Sequence, residues 1–120
     1  IVIDTSGSIS SPLFQQFLFQ AHSICSQIKP QKIRLIQCDA GIHEDKIIKL
    51  ADLRAVTLKG GGGTDFRPVF RAIQSTDCML FFTDLFGDFP RKAPSYPVLW
   101  LDWDSGYSSK VPFGEHILLK

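Results

Sequence analysis

Ile1-Val2-Ile3-Asp4-Thr5-Ser6-Gly7-Ser8 opens the chain and sets its fold. Three β-branched residues in succession have no polar face, so they predict a short strand buried on both sides. Asp4 ends that run and a Ser/Gly-rich turn follows it. Ser11 then supplies an N-cap, with Pro12 at the first helical position. Apolar residues recur at Leu13, Phe14, Phe17, Leu18, Ala21, Ile24, Cys25 and Ile28, which is helical spacing over about four turns. Pro30 stops the helix.

A buried strand feeding a helix is half of a parallel β-α-β unit, and the rest of the chain continues in kind. Residues 33–38 form a second strand. Asp39-Ala40-Gly41 turns into a third near residues 46–50, and so short a connection makes these two an antiparallel hairpin. Residues 53–59 lead into Gly60-Gly61-Gly62-Gly63-Thr64. A short helix follows at roughly residues 66–73, with Pro68 tolerated in its first turn. Residues 78–82 are a fourth, fully apolar strand ending in Thr83-Asp84; residues 98–101 are a fifth, ending in Asp102; residues 117–119 are a sixth. The Pro-, Gly- and Ser-rich segments 86–96 and 103–114 read as loops. The pattern predicts one α/β domain with a mostly parallel six-stranded sheet covered on both faces, its third strand antiparallel. In such sheets functional groups gather at the carboxyl ends of the strands, where the strand order reverses. Asp4, Asp84 and Asp102 stand at three such ends.

The chain of 120 residues suits a single domain over 1–120,. It begins directly on a buried strand with no initiator Met, which reads as a piece of a longer protein. A net charge of +1 with unclustered Lys and Arg gives no electrostatic case for nucleic acid or an anionic membrane as partner,. The apolar runs, such as residues 79–82, are far too short to span a bilayer. Cys25, Cys38 and Cys78 are odd in number and sit in apolar stretches, so they read as reduced core residues of a cytoplasmic protein.

The chemistry lies at the strand ends. Asp4, Ser6 and Ser8 form an Asp-x-Ser-x-Ser pattern in which one carboxylate and two hydroxyls can face one ion. Such hard oxygen donors suit Mg²⁺ or Mn²⁺ rather than Zn²⁺. The same residues also read as ordinary Asx- and Ser-type turns ahead of a helix. The glycine run lets backbone pass close to another loop, with Thr64 at its tip, or else serves as a flexible linker. A phosphate-binding loop needs Gly-Lys-Ser/Thr after the glycines. Here Gly63 is followed by Thr64-Asp65, whose carboxylate repels phosphate. Asp84 alone reads equally well as a turn cap.

Taken together, Asp4-Thr5-Ser6-Gly7-Ser8, Gly62-Gly63-Thr64-Asp65 and Phe82-Thr83-Asp84 resemble, in order and spacing, the metal-ion-dependent adhesion site of von Willebrand factor A (VWA) domains. Residues 60–68 and 82–90 look most like the VWA-like domain at the C-terminus of predicted bacterial metallopeptidases. The resemblance covers nearly the whole chain. It implies an open, Rossmann-like α/β sheet with helices on both faces. It also implies that Ser6 and Ser8 ligate the metal directly, Thr64 directly or through water, and Asp4 and Asp84 mostly through water. Two departures stand out. Leu85 occupies a position where glycine commonly follows the last Asp, which predicts a different loop path there, and the later helices are trimmed to loops.

This reading makes the chain a Mg²⁺- or Mn²⁺-dependent protein-binding module and not an enzyme. Two carboxylates and neutral hydroxyls neutralise the ion incompletely, and an Asp or Glu from a partner completes the shell. By resemblance, the partner is an AAA-type ATPase and the parent protein carries a peptidase domain. Phe86 and Phe89, on the loop after Asp84, are candidate partner contacts; packing under that loop is the other reading. The alternative function is a haloacid-dehalogenase-like, Mg²⁺-dependent phosphohydrolase, but that chemistry needs a second Asp where Ser6 stands. His22, His43 and His116 are scattered, with no zinc-binding spacing. No histidine is placed by sequence to activate Ser6 or Ser8. Asp102 and Asp104 either extend the acidic rim or make plain turns, and Asp65 is left without a role.

Overall fold

A computed structural model describes residues 1–103 and 111–119. Six strands form one sheet: β1 (Val2–Asp4), β2 (Ile33–Cys38), β3 (Ile42–Ile48), β4 (Met79–Phe82), β5 (Val98–Asp102) and β6 (Glu115–Leu118). Their order is β3-β2-β1-β4-β5-β6. Only the β2–β3 pair is antiparallel; β1 pairs in parallel with β2 and β4, and β5 with β4 and β6. The mixed α/β sheet thus has the expected antiparallel third strand. The chain leaves β1 to build one side of the sheet and returns to build the other, so the order reverses at β1. That switch point lies between the carboxyl ends of β1 and β4, where such sheets form their clefts.

Register explains the buried sequence. Val2 stands beside Ile36 and Phe81, and Phe81 beside Trp100, so four apolar residues form one row across four strands. They share a cluster with Val69 of α2 (Arg67–Ala72) and with Phe66. One residue along, Ile3, Phe82 and Leu101 point the other way, as side chains on a strand alternate. They pack with Phe14, Phe17, Leu18, Ala21 and Cys25 of α1 (Ser11–Ile28), and with Leu53 of a 3₁₀ turn (Leu50–Ala55).

Several boundaries differ from expectation. The cap of α1 is Ser10, one residue earlier than Ser11. Ser10 has the extended backbone a cap requires, and its hydroxyl accepts from Leu13 N at 3.2 Å,. Lys29 closes the helix in the left-handed region (φ 56°), just before Pro30. Strand β3 starts at Ile42, not near residue 46. Its His43-Glu44-Asp45 segment carries no apolar signal because this is an exposed edge strand. Charge pairing holds it: Arg34 donates to both carboxylate oxygens of Asp45 at 2.7 Å. Cys25 and Cys38 are buried as expected, whereas Cys78 is exposed, because it precedes β4 rather than belonging to it. Asp104 and most of the loop expected at 103–114 lie outside the described residues. No helix among the described residues is long and apolar enough to cross a membrane.

Trp100 is the centre of the aromatic face. Its ring stacks on Phe81 at 4.8 Å and meets Phe89 edge-on at 5.1 Å, while Nε1 donates to Phe113 O at 2.8 Å. Removing a fully buried indole costs the transfer energy and leaves a cavity, about 3–5 kcal/mol. That is a large share of a typical domain's stability of about 5–15 kcal/mol. Trp100→Ala is therefore expected to lower the urea midpoint sharply. Phe19→Ala, at a ring that is 52% exposed and touched by Arg54, is expected to cost under about 1 kcal/mol in the same measurement.

Candidate functional site

The loops leaving β1 and β4 meet at the switch point, and Asp4 is the hinge of that meeting. Asp4 is fully buried. Its Oδ1 accepts from Ser6 N at 2.9 Å, bending the chain so that Ser6 and Ser8 turn toward β4. Its Oδ2 accepts from the Thr83 hydroxyl at 2.7 Å, and Thr83 Oγ1 in turn accepts from Leu85 N at 3.0 Å. One carboxylate thereby shapes both loops.

The hydroxyls then converge. Ser6 Oγ and Ser8 Oγ lie 3.2 Å apart, and Ser8 Oγ donates to Asp84 Oδ2 at 2.6 Å. Asp84 is held by Phe86 N, which donates to Oδ1 at 3.1 Å. Four of the five expected ligating residues thus form one hydrogen-bonded chain. The fifth, Thr64, lines the same cleft, an opening of about 490 Å³ bounded also by Gly7, Gly62, Phe86 and Gly87. Gly87 allows that closeness: a Cβ there would fall 2.6 Å from Thr64 Cγ2.

At Leu85, where the resemblance expected glycine, the backbone itself is glycine-like. It adopts φ 66°, the left-handed conformation that glycine takes freely,. A non-glycine residue there costs about 1–2 kcal/mol. The Leu85 side chain is buried in the aromatic cluster, and burying a leucine gains about 1.5–3 kcal/mol. Packing therefore offsets the strain.

The glycine run is fixed, not a free linker. Gly61 N donates to Thr5 O at 2.7 Å, Gly7 N to Gly62 O at 2.9 Å, and Thr5 Oγ1 to Lys59 O at 2.6 Å. Gly60 has φ 144°, and a Cβ on it would lie 2.3 Å from Thr5 Oγ1, so only glycine fits. Asp39, at the end of β2, adds a tie that the sequence reading assigned only to a turn. Its carboxylate accepts from Gly62 N at 3.0 Å and from Gly41 N at 3.1 Å, with His43 Nε2 at 2.7 Å. Burial works to raise the Asp39 pKa, but the hydrogen bonds from Gly41, His43 and Gly62 prevail and hold it below its ordinary value. The missed signal was its position: Asp39, like Asp4 and Asp84, stands at the carboxyl end of a buried strand.

The remaining candidates separate. Phe86 is exposed (59%) at the cleft, whereas Phe89 packs on Phe66 at 5.0 Å and on Trp100. Of the two expected partner contacts, Phe89 is partly buried and packs against the aromatic core cluster. Asp65 turns onto Arg67, which donates from its backbone N at 3.0 Å and from Nε at 2.9 Å. Asp102 is buried, with His116 Nε2 at 3.1 Å from Oδ2. Among the described residues no group of three or more His, Cys, Asp or Glu is placed to hold an ion. The residues that hydrogen bonds link are Asp4, Ser6, Ser8 and Asp84, with Thr64 lining the same cleft; oxygen donors of this kind are chemically suited to a hard divalent cation.

A family model described as VWA-like domain (DUF2201) matches residues 1–120, and the chain belongs to that family. No curated protein and no solved structure matches it.

Burial raises the pKa of Asp4 from 3.8 to about 6; hydrogen bonds from Ser6 and Thr83 oppose the rise and nearby Asp84 adds to it. Between those values the folded state holds a proton that the unfolded chain has lost, so stability falls as pH rises through the window. The loss amounts to something on the order of 3 kcal/mol. Urea unfolding in chelator from pH 4 to 7 is expected to show this decline for the wild type relative to Asp4→Asn, whose side chain does not titrate. Parallel pH profiles for the two proteins would contradict a buried, proton-holding Asp4.

Proposed function

We propose that this VWA-like domain is a Mg²⁺- or Mn²⁺-dependent protein-binding module of the metal-ion-dependent adhesion type. The observation that carries the reading is the Ser8 hydroxyl, held between Ser6 Oγ at 3.2 Å and Asp84 Oδ2 at 2.6 Å. Oxygen donors from two loops 76 residues apart in sequence are drawn together at the edge of an open cleft. In the proposal Ser6 and Ser8 ligate the ion directly. Thr64 acts directly or through water, and Asp4 and Asp84 mostly through water.

The electrostatics favour binding over chemistry. Asp4 and Asp84 face each other across the serines, and a divalent ion offsets that like-charge crowding. Its partly neutralised charge and water-filled positions favour an incoming Asp or Glu, so metal and partner bind cooperatively. Phe86, exposed at the rim, is the proposed apolar anchor beside that acid. The six-stranded α/β sheet beneath gives the platform such a loop site requires. The phosphohydrolase alternative needs Asp4 as an accessible nucleophile, and its burial, with Ser6 N and Thr83 Oγ1 on its two oxygens, argues against that role. A pairing with a peptidase domain, an AAA-type ATPase partner and a cytoplasmic setting remain parts of the proposal that rest on resemblance.

Mn²⁺ titration of ¹⁵N-labelled protein tests it. Amide signals of residues 6–8, 64 and 84–86 are expected to broaden first, with an apparent Kd of roughly 10⁻⁴–10⁻³ M. Ser8→Ala and Asp84→Ala are expected to weaken that response by at least about tenfold while leaving the rest of the spectrum in place. Uniform broadening, or none at several millimolar Mn²⁺, would sink the metal-site reading.

A further inference from the structure

We infer that Asp39 is a positioning residue for the cleft: it holds the glycine loop so that Thr64 faces Ser6 and Ser8. The inference rests on the metal-site reading and extends it to the residue that follows β2.

Thr64 sits at the end of four consecutive glycines, a segment with little conformational preference of its own. Whatever fixes Thr64 must therefore come from outside the loop. Asp39 supplies two contacts, one on each side. Its side-chain Oδ2 accepts from Gly62 N at 3.0 Å, and its backbone carbonyl accepts from Asp65 N at 3.0 Å. Gly63 and Thr64 are the only residues between those two anchors. The Gly62 carbonyl is taken by Gly7 N at 2.9 Å, so the upstream anchor is tied on both sides of its residue.

The carboxylate is itself immobilised. Gly41 N donates to Oδ1 at 3.1 Å, and His43 Nε2 lies 2.7 Å from the same oxygen. Asp39 is buried, with only 6% of its surface exposed. A Cβ on Gly62 would fall 2.8 Å from Oδ2; the carboxylate packs against the bare backbone of the loop. Such outer hydrogen bonds typically set metal affinity by 10–100-fold without touching the ion.

The test is a Mn²⁺ titration of wild type, Asp39→Asn, Thr64→Val and the double variant, followed at the amides of Ser6, Ser8 and Thr64. Asp39→Asn keeps the shape but offers Gly62 N and the Gly41–His43 pair only one oxygen between them. It is expected to weaken Mn²⁺ binding about 10–100-fold with the Ser6 and Ser8 signals otherwise in place. Thr64→Val is expected to weaken the wild type and to add nothing in the Asp39→Asn background. A merely structural role would not give that non-additivity. Gly62→Ala breaks the same contact from the loop side and is expected to reproduce the loss, which covers the case of an unfolded Asp39→Asn. Wild-type affinity in both Asp39→Asn and Gly62→Ala, or equal effects of Thr64→Val in the two backgrounds, overturns the role of Asp39 and leaves the metal site standing. A wild type with no localised response overturns both.

Discussion

Burying the Asp4 carboxylate at the end of the central strand obliges the surrounding chain to supply donors for it. An unsatisfied buried charge costs several kcal/mol, and the loops after β1 and β4 are arranged to avoid that cost. Ser6 N satisfies one oxygen and Thr83 Oγ1 the other. These two bonds turn the serines toward Asp84 and set the start of the second loop. Even so, burial keeps the pKa of Asp4 near 6, so hydrogen bonds compensate desolvation only in part. The remaining imbalance is what makes a cation at this place physically reasonable.

A second constraint is the close approach of glycine backbone to residues of neighbouring loops. Gly60 lies against Thr5, Gly62 against Asp39 and Gly87 against Thr64, each closer than a Cβ permits. The loops after β1 and β4 thereby reach one cleft with the glycine loop, which Asp39 after β2 ties in place. Leu85 shows the opposite solution on the same rim, where a side chain is kept and its left-handed backbone is offset by burial,. The cleft is thus built by rigid packing below and fixed loops above. That arrangement suits recognition of a partner without large rearrangement.

Much of this was legible in the sequence, because buried parallel strands announce themselves as continuous apolar runs and α1 has a clear amphipathic period. The edges were not. Strand β3 begins in polar residues whose register is set by pairing with β2, including a shift between Gln37 and Cys38, and no local signal encodes that. The 3₁₀ turn at Leu50–Ala55 is too short to show a period. Ser10 and Ser11 are both good caps, and only backbone geometry decides between them. At the candidate site, the order and spacing of the acidic and hydroxyl residues singled out Asp4, Ser6, Ser8 and Asp84, which hydrogen bonds link, and Thr64, which lines the same cleft. Asp39 escaped because a turn explained it well enough, although it stands at the carboxyl end of a buried strand as Asp4 and Asp84 do. Phe86 and Phe89 look alike in sequence, and only the position of the Trp100 ring separates the exposed one from the packed one.

The most direct measurement is anomalous diffraction from a crystal soaked in saturating Mn²⁺. A cation-binding site predicts a single strong peak about 2.0–2.3 Å from Ser6 Oγ and Ser8 Oγ, with Ser8 turned from Asp84 onto the ion. A map with no peak in this cleft, and Ser8 still bonded to Asp84 at about the 2.6 Å seen now, would contradict it.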